Sequence, residues 1–288
     1  STASPSSFRL GRGDMADFGP SQGDCFTGAI QVNMTPGASA HSKGSWSTFG
    51  GGPLGRCDGF YLMPAFLGNN STLRTLMMDV GVGASPNVVI NNLMVCPPNA
   101  NPSTACRIVG QQVFFPVSLP VGHDLKARSQ SNMASHPGIY VDATPCFSGL
   151  PCVGSVVDTY GADTTNSKGV TLTASNTENV LGSWSQIVAS CERIKAIIVA
   201  VGHGQANWST FGDQWKSIQI GIGAAGSEQF LFSVESIGAS SGTGSPSQAW
   251  FGPYYVDLPA GTRISGRHST QHTSSSQRTI DVILYGIR

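Results

Sequence analysis

The feature that most constrains this chain is that it repeats itself. Gly44-Ser45-Trp46-Ser47 returns as Gly182-Ser183-Trp184-Ser185, an offset of 138 residues. Val80-Gly81-Val82-Gly83-Ala84 returns as Ile220-Gly221-Ile222-Gly223-Ala224 at 140. Val117-Ser118-Leu119-Pro120-Val121-Gly122 returns as Val256-Asp257-Leu258-Pro259-Ala260-Gly261 at 139, an offset that Leu125 and Arg128 share with Ile264 and Arg267. Ile139-Tyr140-Val141 meets Ile280-Asp281-Val282 at 141, so the matches stay in order and drift by three residues. Accidental matches do not stay collinear. The expectation is an internal duplication, and the fold must be one that can be built twice.

The unit reads as β-structure. No long window places apolar residues at helical spacing, whereas short β-branched and aromatic runs recur between Gly, Pro, Asn and Ser clusters. Such runs are Gln111 to Val117, Arg193 to Val201, Ser217 to Ile222, Gln229 to Val234 and Thr279 to Tyr285. In the last, Ile280, Val282 and Leu284 fall on one side and Asp281 and Ile283 on the other, which predicts a strand with one core face. In the shared Val-x-Leu-Pro-x-Gly motif, Pro ends a ladder and Gly permits the turn. The matched Arg128 and Arg267 follow; they read as structural hydrogen-bonders at the sheet end, with a ligand contact as the alternative. The fold class is therefore all-β: two tandem jelly-roll-like β-sandwich domains after an extended arm. The expected boundaries are an arm at 1–41, the first sandwich at 42–145, a polar linker at 146–180 and the second sandwich at 181–288.

Composition narrows the function. Lys plus Arg and Asp plus Glu are both 16, so the net charge is zero, and charged residues are 11% of the chain against about 25% in ordinary domains. A neutral chain lacks the basic face that nucleic acid requires. With 40% apolar residues it is not a charge-rich disordered tail. The longest apolar run, Ile194 to Val201, has strand length rather than the roughly 20 residues of a membrane span. Ser1-Thr2-Ala3-Ser4-Pro5 has neither a basic start nor an apolar h-region, so no secretory signal is expected, and the start reads like a chain that lost its initiator Met. Solubility with so few charges has two sources: uncharged polar residues at the surface, or surface buried against neighbours in an assembly.

The segment Phe114-Phe115-Pro116-Val117-Ser118-Leu119-Pro120-Val121-Gly122-His123-Asp124-Leu125-Lys126-Ala127-Arg128-Ser129-Gln130-Ser131 resembles one common in tailed-bacteriophage virion proteins. There a G-x-G-A strand pair leads to an aromatic-Pro stretch, an L/I-P-A-G-x-x-I/L-x-x-R-x-Q-S strand and a closing strand. The second unit matches through Gly221 to Ala224, Pro253 to Gly261 and Arg267, but has His268-Ser269-Thr270 in place of Ser-Gln-Ser. The resemblance covers the later two thirds of each unit. It implies a virion protein that decorates or reinforces capsid or tail, with other virion proteins as partners. A homo-oligomer, by preference a trimer, is implied too, and no catalytic residues.

The motifs that match chemical signatures read as decoys. Gly221-Ile222-Gly223-Ala224-Ala225-Gly226 fits G-x-G-x-x-G, but a strand follows where a dinucleotide site needs a helix. Gly238-Ala239-Ser240-Ser241-Gly242 fits a nucleophile elbow but sits in a Ser/Gly/Thr/Pro loop, Ser236 to Ser247. Arg12-Gly13-Asp14 lies in a polar arm that can contain it by accident. The six His, at 41, 123, 136, 203, 268 and 272, lack tight metal-site spacing and read as polar surface residues, with a metal pair at His268 and His272, four apart, as the alternative. No cofactor and no enzymatic activity are expected. Cysteines 25, 57, 96, 106, 146, 152 and 191 include no C-x-x-C pair. Cys57 and Cys191 roughly correspond and read as buried small side chains. Cys96 with Cys106, and Cys146 with Cys152, could each close a small loop as a disulfide in a particle oxidised after release. Trp46 and Trp184 match in the repeat and are expected in the cores. Trp208 and Trp215 lie in a segment that the first unit shortens. They are the candidate contacts of a second reading, a fibre or spike module that binds a host-surface glycan.

Overall fold

The computed structural model describes residues 30–50, 52–55, 57–65, 76–95, 112–134, 139–146, 153–202, 214–238, 250–271, 273 and 278–288. Among these there is no helix, and seventeen strands form four sheets. In the first unit one sheet has the order β1 (Ile30–Met34), β8 (Ile139–Cys146), β3 (Gly59–Ala65), β6 (Val113–Phe115). The facing sheet has the order β2 (Ser47–Thr48), β7 (Leu125–Ser131), β4 (Leu76–Val82), β5 (Asn87–Val95). In the second unit the sheets are β10 (Val170–Thr173), β17 (Thr279–Ile287), β12 (Ile194–Gly202), β15 (Trp250–Leu258), and β11 (Ser185–Val188), β16 (Ile264–Thr270), β13 (Gln214–Ile222), β14 (Gln229–Gly238). The second order is the first with nine added to every strand number. Two four-stranded antiparallel sheets interleaved in this way make a jelly roll. One further strand, β9 (Val157–Tyr160), runs beside β10 on the same edge of β17.

The repeated sequence motifs have local causes. Gly83 and Gly223 hold φ at 95° and 108° in the β4–β5 and β13–β14 turns, where a side chain would be strained. Gly81 and Gly221 lie under tryptophan rings. A Cβ there would stand 3.1 Å from Trp46 and 2.7 Å from Trp184. The G-x-G pairs therefore serve one ring and one turn each, and Gly221 to Gly226 is a strand–turn–strand element as read.

Three expectations need correction. The arm does not run to residue 41, because Ile30–Met34 pairs with Met34 opposite Ile139 through Ile30 opposite Ala143. It alternates buried and exposed as an integral strand of the first sandwich. The linker likewise contains β9 and β10, and β10 is the first strand of the second sandwich. Finally, β17 does not have one core face but two. Ile280, Val282 and Leu284 fill the second core together with Ile194, Ile197, Val199 and Val201. Ile283, Tyr285 and Ile287 point the other way, with Ala196, Ile198, Ala200 and Trp250, into the core of the first sandwich. A strand buried on both faces loses the polar alternation of a half-exposed one. The sandwiches are thus welded: an outer sheet face of the second covers an edge of the first.

Candidate functional site

The weld lies where β5 and β6, the end strands of the two sheets of the first sandwich, leave an open edge. An edge strand presents unpaired N–H and C=O groups that must be satisfied or shielded. Side chains of the second unit do this. The Tyr285 hydroxyl donates to the Asn92 carbonyl at 2.9 Å and accepts the Met94 N–H at 2.7 Å. Trp250 Nε1–H donates to the Met94 carbonyl at 2.9 Å, and the Thr159 hydroxyl donates to the Asn91 carbonyl at 2.6 Å. The Tyr285 ring, fully buried, meets Phe115 edge-on with centroids 6.2 Å apart.

The backbone at Asn92 is shaped for this. The β4–β5 register shifts between Met78 and Val80, and Asn92 sits at φ 52°. That bulge aims one residue to both sides of the strand. Its N–H donates to Asp79 Oδ1 at 2.9 Å while its carbonyl takes the Tyr285 hydroxyl. Asp79 is fully buried and also accepts from Lys43 at 2.6 and 2.7 Å and from Arg128 Nε at 2.9 Å. A buried carboxylate with two cations and a backbone donor is fully compensated. Arg128 in turn lies 4.5 Å over the Trp46 ring. A chain of contacts therefore runs from the outer face of one sheet, through Asp79 and Asn92, to the weld.

The matched positions in the second sandwich are built alike but neutral. Gln219 stands where Asp79 does, and its side-chain oxygen accepts from Arg267 at 2.8 and 2.9 Å. Arg267 lies 4.2 Å over Trp184. Both arginines are structural hydrogen-bonders as expected, though they stand on the outer face of the sheet rather than at its end. Both tryptophans are half-buried on that outer face under an arginine, not in the cores as expected.

The remaining candidates are scattered. His268 is fully buried rather than a surface residue, 3.2 Å from the Leu172 carbonyl and 2.8 Å from that of Arg278. Burial, with Lys216 nearby, pushes its pKa down to about 4. Burial alone pushes the Lys216 ammonium down to about 7, and pushes Asp281 up to about 6 against its bond from Thr171. His41 Nδ1 lies 3.0 Å from Ser167 Oγ, and His123 is exposed. Cys57 and Cys191 are buried as read, with thiols 3.1 Å from the Gly59 carbonyl and 3.9 Å from that of Pro259. Cys146 is buried at the end of β8, its thiol 3.6 Å from the Thr144 carbonyl. Cys152, Cys96 and Cys106 lie outside the described residues, as do Trp208, Arg12-Gly13-Asp14, His136, His203, His272 and residues 239–249. Trp215 pairs with Ile237 in the β13–β14 ladder. Among the described residues no three His, Cys, Asp or Glu side chains gather as metal ligands. Surface grooves of about 550 and 410 Å³ flank the matched loops Thr35–Ser47 and Thr173–Ser185 and are lined mainly by small polar residues.

Sequence reasoning did not single out Tyr285 or Asn92, and it grouped Trp250 only with the aromatic residues that suggest glycan stacking. A signal for the weld was present. The outward positions of β17 are Ile283, Tyr285 and Ile287, where the matched strand β8 has Asp142, Thr144 and Cys146.

No family model and no curated protein matches the chain. Among solved structures it is similar to a chain of the structure of infectious bursal disease virus, Gx strain. The identity is 11% and the TM-score 0.17, over 94% of this chain and 80% of that one. A likeness at that score carries no argument, so the functional reading rests on strand order and contacts.

Proposed function

We propose that the chain is a structural subunit of a virus particle. In line with its resemblance to tailed-phage virion proteins, it decorates or reinforces capsid or tail through contacts with neighbouring subunits. The observation that carries this reading is the weld. Among the described residues, a buried and hydrogen-bonded polar construction joins one β-sandwich to the other. Two jelly rolls locked edge to face make a stiff brick suited to tiling, and the low charge density suits a surface that neighbours cover. The protein acts as a binding and load-bearing body without a cofactor, in an oligomer, by preference a trimer.

Copy number per purified particle tests the proposal, by quantitative mass spectrometry against the major shell protein. Hundreds of copies place it on the shell or tail. A few to a few tens place it in a collar, fibre or spike. Absence from particles overturns the proposal.

A further inference from the structure

We infer that the weld between the two sandwiches is also the plan of the contact between chains. The outer face of β8, β3 and β6 in one copy covers the β14–β15 edge of a second copy, head to tail. The argument starts from what each sandwich offers. In both, one sheet has an outer face and the neighbouring end strands leave an edge. Inside the chain, the face of the second sandwich covers the edge of the first. The two surfaces left over, the face of the first and the edge of the second, are the topological counterparts of a pair already in contact.

The leftover edge is furnished for cover. Phe232 and Tyr254 stack across the gap between β14 and β15 with centroids 4.5 Å apart, and both are only half-buried. Beside them Phe230 is 57% exposed and Tyr255 58% exposed. Tyr254 holds the place that Phe115 holds in the first sandwich, opposite Ile197 as Phe115 is opposite Phe60. Phe115 is fully buried because Tyr285 lies against it. A half-buried ring stack across an open edge, with Tyr255 and Phe230 exposed on the outer sides of its two strands, is costly to leave in water and marks a contact surface.

The leftover face is semi-apolar. Tyr61 and Phe114 meet with centroids 4.7 Å apart, and Met63, Tyr140 and Thr144 continue the same side, all partly exposed. Thr144 stands in β8 where Tyr285 stands in β17. The contact between copies differs from the internal one in a defined way. The β13–β14 register is continuous from Gln214 to Ile220, so β14 has no counterpart of the Asn92 bulge, and the aromatic rings of the edge do most of the binding. Because face and edge are different surfaces, the contact is heterologous and closes into a ring or propagates. The inference stands on the weld alone, and a chain absent from virions could still form the oligomer.

The test uses the full chain. Native mass spectrometry of wild type should show a closed oligomer at micromolar concentration. Phe230→Ser with Tyr255→Ser, at positions more than half exposed, should weaken association at least about tenfold while leaving the thermal unfolding of the separated chain unchanged. Glu235 stands in β14 where Met94 stands in β5, so two singly substituted chains, Thr144→Cys and Glu235→Cys, should cross-link when mixed under oxidation, through a disulfide joining positions 144 and 235 of different chains. A monomeric wild type overturns the inference. So does an oligomer that survives the double substitution, or a mixture whose cross-links all avoid that pair.

Discussion

The outward side of β8 carries Asp142 and Thr144, half in water; the same side of β17 carries Ile283 and Tyr285, sealed against the other sandwich. The inward sides of both strands are alike, Val141 and Ala143 against Val282 and Leu284. The same division runs through the facing sheets. On the outward side, Asp79 with its two cations stands where Gln219 serves Arg267; the inward sides differ at one strand end, where Leu76 of the first core is replaced by the buried Lys216. The inward residues keep strand order and register constant. The outward ones are free to vary, and they decide whether a jelly roll stands in water or against a neighbour.

The sharpest break of this comparison is Tyr285→Ala. It removes a buried ring and orphans the Met94 N–H and Asn92 carbonyl, at a cost of about 3–5 kcal/mol. Thr144→Ala at the matched place should stay within about 0.5 kcal/mol. Denaturant unfolding of both variants measures the difference, and equal losses would mean that the weld is not holding the molecule together. Asp79→Ala comes next. It leaves Lys43, Arg128 and the Asn92 N–H without their acceptor and should cost about 3 kcal/mol. Gln219→Ala should lose about 1 kcal/mol. Asp79→Gln, which copies the second sandwich into the first, should recover part of the loss.

Gly81→Ala and Gly221→Ala test the tryptophan lids. Each should cost about 1–3 kcal/mol through overpacking. The penalty should be larger at Gly221, where the new carbon meets the ring at 2.7 Å rather than 3.1 Å. Thermal melts at one pH rank them.

The last test is read as a slope. Lys216 has its folded pKa pushed below its unfolded value, so the unfolded chain binds more protons between about pH 7 and 10.5. Stability therefore rises with pH across that window. Lys216→Leu, the residue that the first sandwich has there, should flatten the rise. The slope is cleanest between about pH 7 and 8.5, below the range where the raised thiol of Cys191 and the raised phenols of Tyr160 and Tyr254 oppose it. His268, neutral when folded, costs stability as pH falls from 6.5 to about 4. Asp281, raised to about 6, restores some over the fall from 6 to 3.8. A melting temperature that is flat from about pH 7 to 8.5 in wild type, or a rise that Lys216→Leu leaves unchanged, would refute the assignment to Lys216.

Much of this architecture is written locally. Strand positions follow from β-branched runs between Gly and Pro, and they came out within a few residues, as for Arg193 to Val201 against Ile194–Gly202. Topological equivalence of the halves follows from the spacing of Gly-Ser-Trp-Ser, G-x-G-A and Leu-Pro-x-Gly. The placement of Ile30–Met34 was hidden because a five-residue strand in a Gly- and Ser-rich stretch differs little from an extended arm until it finds β8. Trp46 and Trp184 were misplaced because hydrophobicity alone does not say that an arginine, rather than a core, will cover a ring.

By itself, then, the sequence determined the fold class, the twofold plan and the turns, because period, punctuation and glycine geometry act over a few residues. Only the tertiary structure decided that the halves are one body and which edge Tyr285 closes. Those outcomes depend on which surface lies across from a strand, and the residues that meet there, Asn92 and Tyr285, are 193 positions apart.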